Sequence, residues 1–308
     1  MSEARSVQIR CPATSANLGP GYDALGLALT LYNDFRVFEA EDFQLSAEGP
    51  GAEGVPNTPS QHKLVLAFQA AREALGLPPV TGLGVHAQVG VPPSRGLGSS
   101  ATATVAGVLA AEALSEGSLS EQQRVELAVE LEGHPDNALP CLLGGLCAAT
   151  RAKGRTFYQR GVPPSPPALV VGIPRDFELS TELMRAILPR EVSFADATQN
   201  VGRTALLVFA LLQGGREALE VALDDRLHQP YRGGRIPGFA AVREAALKAG
   251  AYGLVISGSG PSLLAMGPQE ASGHIERALR QTWAEAGIEA DARALEVDVR
   301  GAWSSLGG

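Results

Sequence analysis

Lysine is nearly absent from the chain. Only Lys63, Lys153 and Lys248 occur, and every other basic residue is arginine. None of the three precedes Ser or Thr, which excludes a Walker A phosphate loop. Cysteine is scarce too. Cys11, Cys141 and Cys147 are odd in number and not spaced as a zinc site. They read as reduced, mostly buried thiols of a cytoplasmic protein. The five histidines are scattered, with no HExxH or paired spacing, which argues against a histidine-based metal site. Long apolar runs are missing: residues 205–212 fall far short of the ~20 that span a bilayer. Residues 1–10 carry charges and no apolar stretch of a secretory signal. Positive charge is in deficit, 25 basic residues against 33 acidic ones for a net charge of −8. That balance excludes a general nucleic-acid or anionic-membrane binder, while leaving room for a local basic pocket.

What is present describes a folded chain. Hydrophobic residues make up 45% and charged residues 19%, the range of a globular protein. At roughly 100–200 residues per domain, 308 residues allow one large domain or two ordinary ones. The clearest break is Gly161-Val-Pro-Pro-Ser-Pro-Pro167, where four prolines in five positions can continue neither a helix nor a central strand. A boundary is expected there, dividing residues 1–160 from 161–308. No internal repeat is visible. Residues 7–10, 85–89, 168–173, 254–257 and 262–266 read as strands. Helices are expected from Lys63 to a stop at Gly76, over 99–114, after a capping box at Ser120-Glu-Gln-Gln123, over 201–212 and over 239–249. Strands and helices interleave in both halves, so the class is α/β or α+β; the sequence leaves strand order open.

The most informative segment is Val91-Pro-Pro-Ser-Arg-Gly-Leu-Gly-Ser-Ser-Ala101. Prolines end a strand, Gly96 and Gly98 permit close backbone approaches, and Ser99 and Ser100 open an Ala-rich helix. The first turn of a helix leaves N–H groups unpartnered and carries partial positive charge. A glycine-rich entry exposes them to a phosphate, and a serine hydroxyl there suits Mg²⁺. The competing reading is an ordinary N-cap after a glycine turn.

Two further segments bear on that choice. Cys11-Pro-Ala-Thr-Ser-Ala-Asn-Leu-Gly-Pro-Gly-Tyr-Asp23 gathers Asn17, two glycines and Asp23 into one loop, which reads either as a clamp for an amine or hydroxyl or as a plain turn. Ile256-Ser-Gly-Ser-Gly-Pro-Ser262 is a glycine-rich turn between two strands, in isolation more like a tight hairpin than a ligand loop.

Together, in order and spacing, the three segments resemble the signature motifs of the GHMP kinases, across residues 11 to 262. Within that family the first motif, Glu132-Gly-His-Pro-Asp-Asn137 with Gly144-Gly145, Ser180-Thr181 with Arg185, and His228-Gln-Pro-Tyr-Arg232 before Ile236-Pro-Gly238 most resemble the members acting on homoserine. The resemblance implies a two-domain architecture: an N-terminal ATP-binding α/β domain and a ferredoxin-like α+β C-terminal domain. It implies Mg²⁺-dependent transfer of the ATP γ-phosphate to the side-chain hydroxyl of L-homoserine, a step in threonine biosynthesis. No nucleic-acid or membrane partner is implied, and a homodimer is left open. A family member acting on another small alcohol, and a non-catalytic binding module on the same fold, are the alternatives.

The resemblance also implies roles. Pro92, Arg95, Gly96, Leu97, Gly98, Ser99, Ser100 and Ala101 are expected to form the ATP-binding turn. Ser100 is expected to hold Mg²⁺ with a glutamate. Glu126, Glu130 and Glu132 compete for that place, and relatives put it about three helical turns before Asn137, which selects Glu126. Arg185 and Arg232 match carboxylate-binding arginines, whose planar guanidinium suits paired hydrogen bonds. Asp23 would meet the substrate ammonium, with Asn17, His134, Asn137 and Gly260 around the substrate. Asn137 stands where mevalonate-type relatives carry a catalytic aspartate. An amide takes up no proton at neutral pH, so direct attack by the substrate hydroxyl is expected, with no dedicated protein base. Two departures stand out. Gln61-His62-Lys63 replaces a stretch that usually holds an asparagine near the adenine, and Arg235 replaces a usually apolar residue.

Overall fold

The computed structural model describes residues 5–115 and 117–307. The described residues form eleven strands: β1 (Ser6–Ala16), β2 (Leu25–Phe38), β3 (Gln44–Glu48), β4 (Gly84–Gln88), β5 (Leu146–Ala152), β6 (Arg155–Gly161), β7 (Ala168–Pro174), β8 (Gly253–Ile256), β9 (Leu263–Gly267), β10 (Ala290–Leu295) and β11 (Trp303–Leu306). Ten α-helices accompany them: α1 (Lys63–Ala74), α2 (Ser99–Ser115), α3 (Glu121–Glu132), α4 (Pro135–Leu143), α5 (Thr181–Ala186), α6 (Phe194–Gln213), α7 (Arg216–Ala222), α8 (Gln229–Arg232), α9 (Phe239–Lys248) and α10 (Ser272–Glu285).

The first sheet runs β11-β1-β2-β4-β3. β5 pairs with the start of β2 and carries β6 at its other edge. The second sheet runs β10-β7-β9-β8, all antiparallel. Counted from β7, that order is fourth-first-third-second, the ferredoxin-like arrangement expected for this half. The proline-rich residues 162–167 join the sheets. This supports a proposed division at 160/161, with one exception: β11 crosses back and pairs with β1, covering an edge that would otherwise present unpaired backbone groups.

β1 is longer than expected, because residues 11–16 continue pairing with β2 past a register shift at Pro12/Ala13. A bulge is where a strand tolerates proline. α3 carries the capping box: Ser120 accepts from Gln123 N–H, the Gln123 side chain returns to Ser120, and Gly133 stops the helix at φ 82°. α6 begins at Phe194, earlier than expected, because Ser193 caps it by accepting from Asp196 N–H.

Three apolar clusters hold these layers. Phe68 of α1, Val105 of α2, Val129 of α3 and Leu139 of α4 pack on Val7, Val37 and Val85 of the first sheet. Removing a buried Phe side chain such as Phe68 costs about 3–5 kcal/mol. Helices α1 and α2 touch backbone to backbone: a Cβ on Gly107 would fall 2.2 Å from the Leu64 carbonyl oxygen. Leu27, Leu97, Leu169, Leu207 and Leu264 form a second cluster that binds both sheets to α6. Trp283 of α10, fully buried, centres the third beneath the second sheet.

Candidate functional site

Backbone hydrogen bonds stitch the three glycine-bearing segments together. Thr14 N–H donates to the Leu97 carbonyl at 3.0 Å, Gly258 N–H to Ala16 at 3.1 Å, and Ser262 N–H to Arg95 at 3.2 Å. The Ser257 hydroxyl donates to the Gly96 carbonyl at 2.7 Å. Gly98 sits at φ +71°, and a Cβ there would lie 2.0 Å from Thr14 Oγ1 and 3.1 Å from Asn137 Oδ1. Only glycine lets the turn before α2 approach both. Residues of both sheets' segments enclose one cavity of about 520 Å³.

Of the expected site residues, Asn17, Asp23, Arg95, Gly96, Gly98, Ser99, Ser100, His134, Asn137, Arg185 and Arg232 line that cavity. Asn17, buried at φ 70°, donates from Nδ2 to the Gly258 carbonyl at 2.8 Å and accepts Asp23 N–H at 3.0 Å. Arg185 forms a two-pronged ion pair with Asp23, both contacts at 2.8 Å. That hydrogen bonding holds the Arg185 pKa above its ordinary value. Arg232 is buried. Its Nε donates to Met184 O and its Nη1 to Gly258 O, and the guanidinium lies 5.2 Å from the Tyr22 ring centre. Burial lowers its pKa from the ordinary arginine value. Asn137 Oδ1 accepts from the Thr14 hydroxyl at 2.7 Å. His134 Nδ1 meets Asp136 Oδ1 at 2.6 Å. Burial alone would push this imidazole down; the Asp136 hydrogen bond and charge outweigh it, and its pKa is raised.

Several expectations need correction. Glu126 does not line the cavity. Its carboxylate accepts from Thr156 N–H at 2.7 Å, the Thr156 hydroxyl at 2.9 Å and Gln122 Nε2 at 2.6 Å. Glu132 stands beside Ser100 instead: its Oε1 accepts from Ser100 at 3.0 Å and from Thr104 at 2.5 Å, with Lys63 Nζ at 3.7 Å. Counting helical turns back from Asn137 fails because Gly133 breaks the helix between α3 and α4. Pro92, Leu97 and Ala101 also lie outside the cavity lining. Leu97 and Ala101 point into the core, so only their main chains can serve a ligand. Arg95 lines the cavity, but its guanidinium is engaged by the carbonyls of Pro174 and Arg175 and by Glu178 at 2.8 Å. It braces the turn against the end of β7 rather than offering free charge. Gly260 packs behind the turn, against Gly96 and Ile236, and Gly258 and Ser259 line the cavity in its place. Arg235 is exposed and outside the lining.

Sequence reasoning misses His62 as a site residue. It is 2% exposed, lines the cavity, and neither ring nitrogen has a protein partner. Burial lowers its pKa, so it is neutral at pH 7. Phe35, Val55, Pro56, Ala87 and Val89 line the same cavity. The signal for His62 is the departure at Gln61-His62-Lys63; burial without partners is visible only in the fold.

The polar groups suit a phosphorylated nucleotide and a small zwitterion. Gly98, Ser99 and Ser100, at the N-terminus of α2, line the cavity, and a helix start leaves N–H groups unpartnered and electropositive. Glu132 and Ser100 place a carboxylate and a hydroxyl side by side, hard oxygen donors of the kind Mg²⁺ accepts alongside phosphate oxygens. Among the described residues no group of three or more His, Cys, Asp or Glu could hold a metal alone. Cys11, Cys141 and Cys147 are free and buried. No helix among the described residues is long and apolar enough to cross a membrane.

Comparison with known proteins gives matching results. Residues 62–145 match the family description "GHMP kinases N terminal domain", and residues 208–285 match "GHMP kinases C terminal". Homoserine kinase of Microchaete diplosiphon is 46% identical, with 99% of each chain covered. The crystal structure of homoserine kinase from Cytophaga hutchinsonii superposes with a TM-score of 0.88 at 29% identity, over 99% of both chains. L. major mevalonate kinase in complex with R-mevalonate shares the fold, with a TM-score of 0.70 at 16% identity over 95% of this chain and 96% of that one.

Proposed function

The chain belongs to the homoserine kinase family of GHMP kinases, and on that premise we propose that it transfers the γ-phosphoryl group of ATP to the side-chain hydroxyl of L-homoserine, giving O-phospho-L-homoserine and ADP. One observation carries this reading. A single cavity is lined both by the turn of Gly96–Ser100 and by Asp23, Arg185 and Arg232, with Asn137 in the same lining against Gly98.

Phosphoryl transfer is a matter of positioning and charge neutralisation. The main-chain N–H groups at the start of α2 receive phosphate oxygens, and the apolar end of the cavity takes the base, where neutral His62 supplies one donor and one acceptor. At the other end Asp23 and Arg185 satisfy each other while no substrate is bound. An amino acid carries the same two charges, so its ammonium replaces Arg185 at Asp23 and its carboxylate replaces Asp23 at Arg185. Arg232, desolvated and held by two carbonyls, adds a second fixed cation for that carboxylate. Asn17, Asn137 and His134 orient the remaining polar groups of the substrate.

The substrate oxygen forms a bond to the γ-phosphorus while the bond from that phosphorus to the bridging oxygen of ADP breaks. Asn137 cannot accept the proton, and the carboxylates of Asp23, Asp136 and Glu132 are each engaged by neighbours. The proton passes to a phosphate oxygen or to solvent. Ser100 and Glu132 are the residues that would hold Mg²⁺, which when bound neutralises phosphate charge. The test is coupled ADP release with L-homoserine, mevalonate, galactose and shikimate as acceptors. Turnover of L-homoserine in preference to the others is expected; preference for another acceptor would overturn the reading.

A further inference from the structure

Asn137 lies in the first turn of α4, and its main chain has little freedom. The helix starts hard against β2, where a Cβ on Gly26 would fall 1.8 Å from the Asp136 carbonyl oxygen. The side chain is a separate matter. A carboxamide has two edges of opposite polarity, an oxygen that accepts and an NH₂ that donates, and a half-turn of the group exchanges them. Which edge faces the cavity decides what Asn137 can do there. Asn137 itself does not make that choice.

Thr14 makes it. This residue stands just past the register shift at Pro12/Ala13 in β1, and a bulge is a place where a strand re-aims a side chain. Its N–H donates to the Leu97 carbonyl at 3.0 Å, which fixes it against the glycine turn. Its hydroxyl donates to Asn137 Oδ1 at 2.7 Å. Thr14 is fully buried and outside the cavity lining, whereas Asn137 is half-buried and part of it. With Oδ1 taken, Nδ2 is the end of the amide that no protein group engages among the described residues. In the reverse orientation Nδ2 would donate to Thr14 Oγ1. The Thr14 hydroxyl hydrogen would then be buried with no other acceptor among the described residues. A buried donor without an acceptor disfavours that arrangement by a factor of roughly ten or more.

We propose that Thr14 is a positioning residue: its buried hydroxyl holds the Asn137 amide with the N–H edge toward the cavity, as a fixed donor to the oxygens at the transferring centre. The proposal rests on the phosphoryl-transfer reading of this site. Charge shifts among those oxygens as the phosphoryl group moves, and a donor already in place stabilises it without reorganising at the moment of reaction. An amide free to turn would spend part of its time presenting Oδ1 to the same oxygens, where two negative ends repel. Thr14, behind the lining, acts only through Asn137. Its effect falls on rate, because Asp23, Arg185 and Arg232 hold the charged ends of the acceptor.

Thr14→Ala, Asn137→Ala and the double variant form a cycle, read by coupled ADP release on whichever alcohol the wild type prefers. Thr14→Ala is expected to lower kcat about tenfold to a hundredfold, part of the hundredfold to thousandfold that a missing donor at such a centre costs. KM for ATP and for the acceptor should stay within about threefold of the wild type. Thr14→Ser, which returns the hydroxyl, should recover most of the lost rate. The double variant should be no slower than Asn137→Ala, because a hydroxyl that acts only through the amide then has nothing to hold. Losses that multiply in the double variant would overturn the proposal. So would a kcat kept in Thr14→Ala, or a loss that Thr14→Ser does not recover. If Thr14→Ala does not fold, Thr14→Val takes its place in the cycle: it has no hydroxyl to donate, and the same loss of kcat is expected. Preference for an alcohol other than L-homoserine overturns the acceptor reading alone, and the cycle is then read on that alcohol; transfer to no alcohol overturns both.

Discussion

Glu132→Gln and Glu126→Gln make a paired test of the charge beside the phosphate-binding turn. The two glutamates lie on one helix, and their surroundings assign them opposite work. Glu132 Oε1 touches the hydroxyls of Ser100 and Thr104 at the start of α2, inside the cavity. A glutamine there keeps an acceptor for those hydroxyls and removes the negative charge a divalent cation needs. Losing one preorganised electrostatic group at a transferring centre typically costs about 3–4 kcal/mol, or a hundredfold to a thousandfold in rate. A loss of that size in kcat/KM is expected for Glu132→Gln, with a higher Mg²⁺ concentration needed for half-maximal rate. Thermal stability should change little. Glu126 instead receives three hydrogen bonds from Thr156 and Gln122 outside the cavity. Glu126→Gln turns an amide N–H toward a group that had donated to an acceptor. Discounted for its partly exposed, screened setting, that costs about 1 kcal/mol and roughly 2 °C in Tm, with kcat/KM within about twofold of the wild type. Coupled ADP-release assays across a Mg²⁺ titration, with melting curves on the same preparations, give both numbers. Full activity in Glu132→Gln together with a large loss in Glu126→Gln would refute the reasoning.

The same carboxylate sets a pH dependence. Burial raises the Glu126 pKa, but the hydrogen bonds from Thr156 and Gln122 outweigh it and hold the pKa below the ordinary 4.5. Its contribution to stability is therefore complete above the unfolded value and fades as pH falls through the folded one; urea midpoints between pH 6 and 3 should fall less steeply in Glu126→Gln. Arg232→Ala should raise KM for L-homoserine about thirtyfold or more, the worth of charged hydrogen bonds of 2–3 kcal/mol, with kcat largely kept, as initial rates will show. His62→Phe keeps the volume and loses both nitrogens. KM for ATP should rise about threefold to tenfold with KM for L-homoserine unchanged, and an unchanged KM for ATP would remove His62 from the nucleotide end. Asn137→Asp should not introduce a new ionisation into the pH profile of kcat; such an ionisation accompanied by gained rate would restore a role for a protein base at that position.

Local patterns were the most legible part of the chain. The capping box at Ser120, the Gly76 stop and the glycine turn before α2 are governed by backbone chemistry within a few residues, and the helices begin or end there as expected. What escaped depends on distant partners. Residues 11–16 read as loop because Pro12 breaks the strand pattern, while pairing with β2 across a bulge supplies what the local sequence does not. Glu126 and Glu132 differ by six positions on one helix, and only the direction of α3 relative to α2 decides which one meets Ser100. Arg95 is expected in the ATP-binding turn from its place in the motif; its guanidinium instead meets carbonyls at the end of β7, far along the chain. His62 carries no motif at all, and its unpartnered nitrogens become visible only once the apolar walls around it are assembled.

The pairing of β11 with β1 orders events during synthesis. β1 is made first, yet its outer edge is covered by residues 303–306, near the end of the sequence. Until those residues leave the ribosome, at about 5–20 residues per second, the nucleotide-binding half is an open sheet awaiting its closing strand. Nascent chains halted short of residue 303 should therefore bind a holdase chaperone longer and resist protease less than chains released after it.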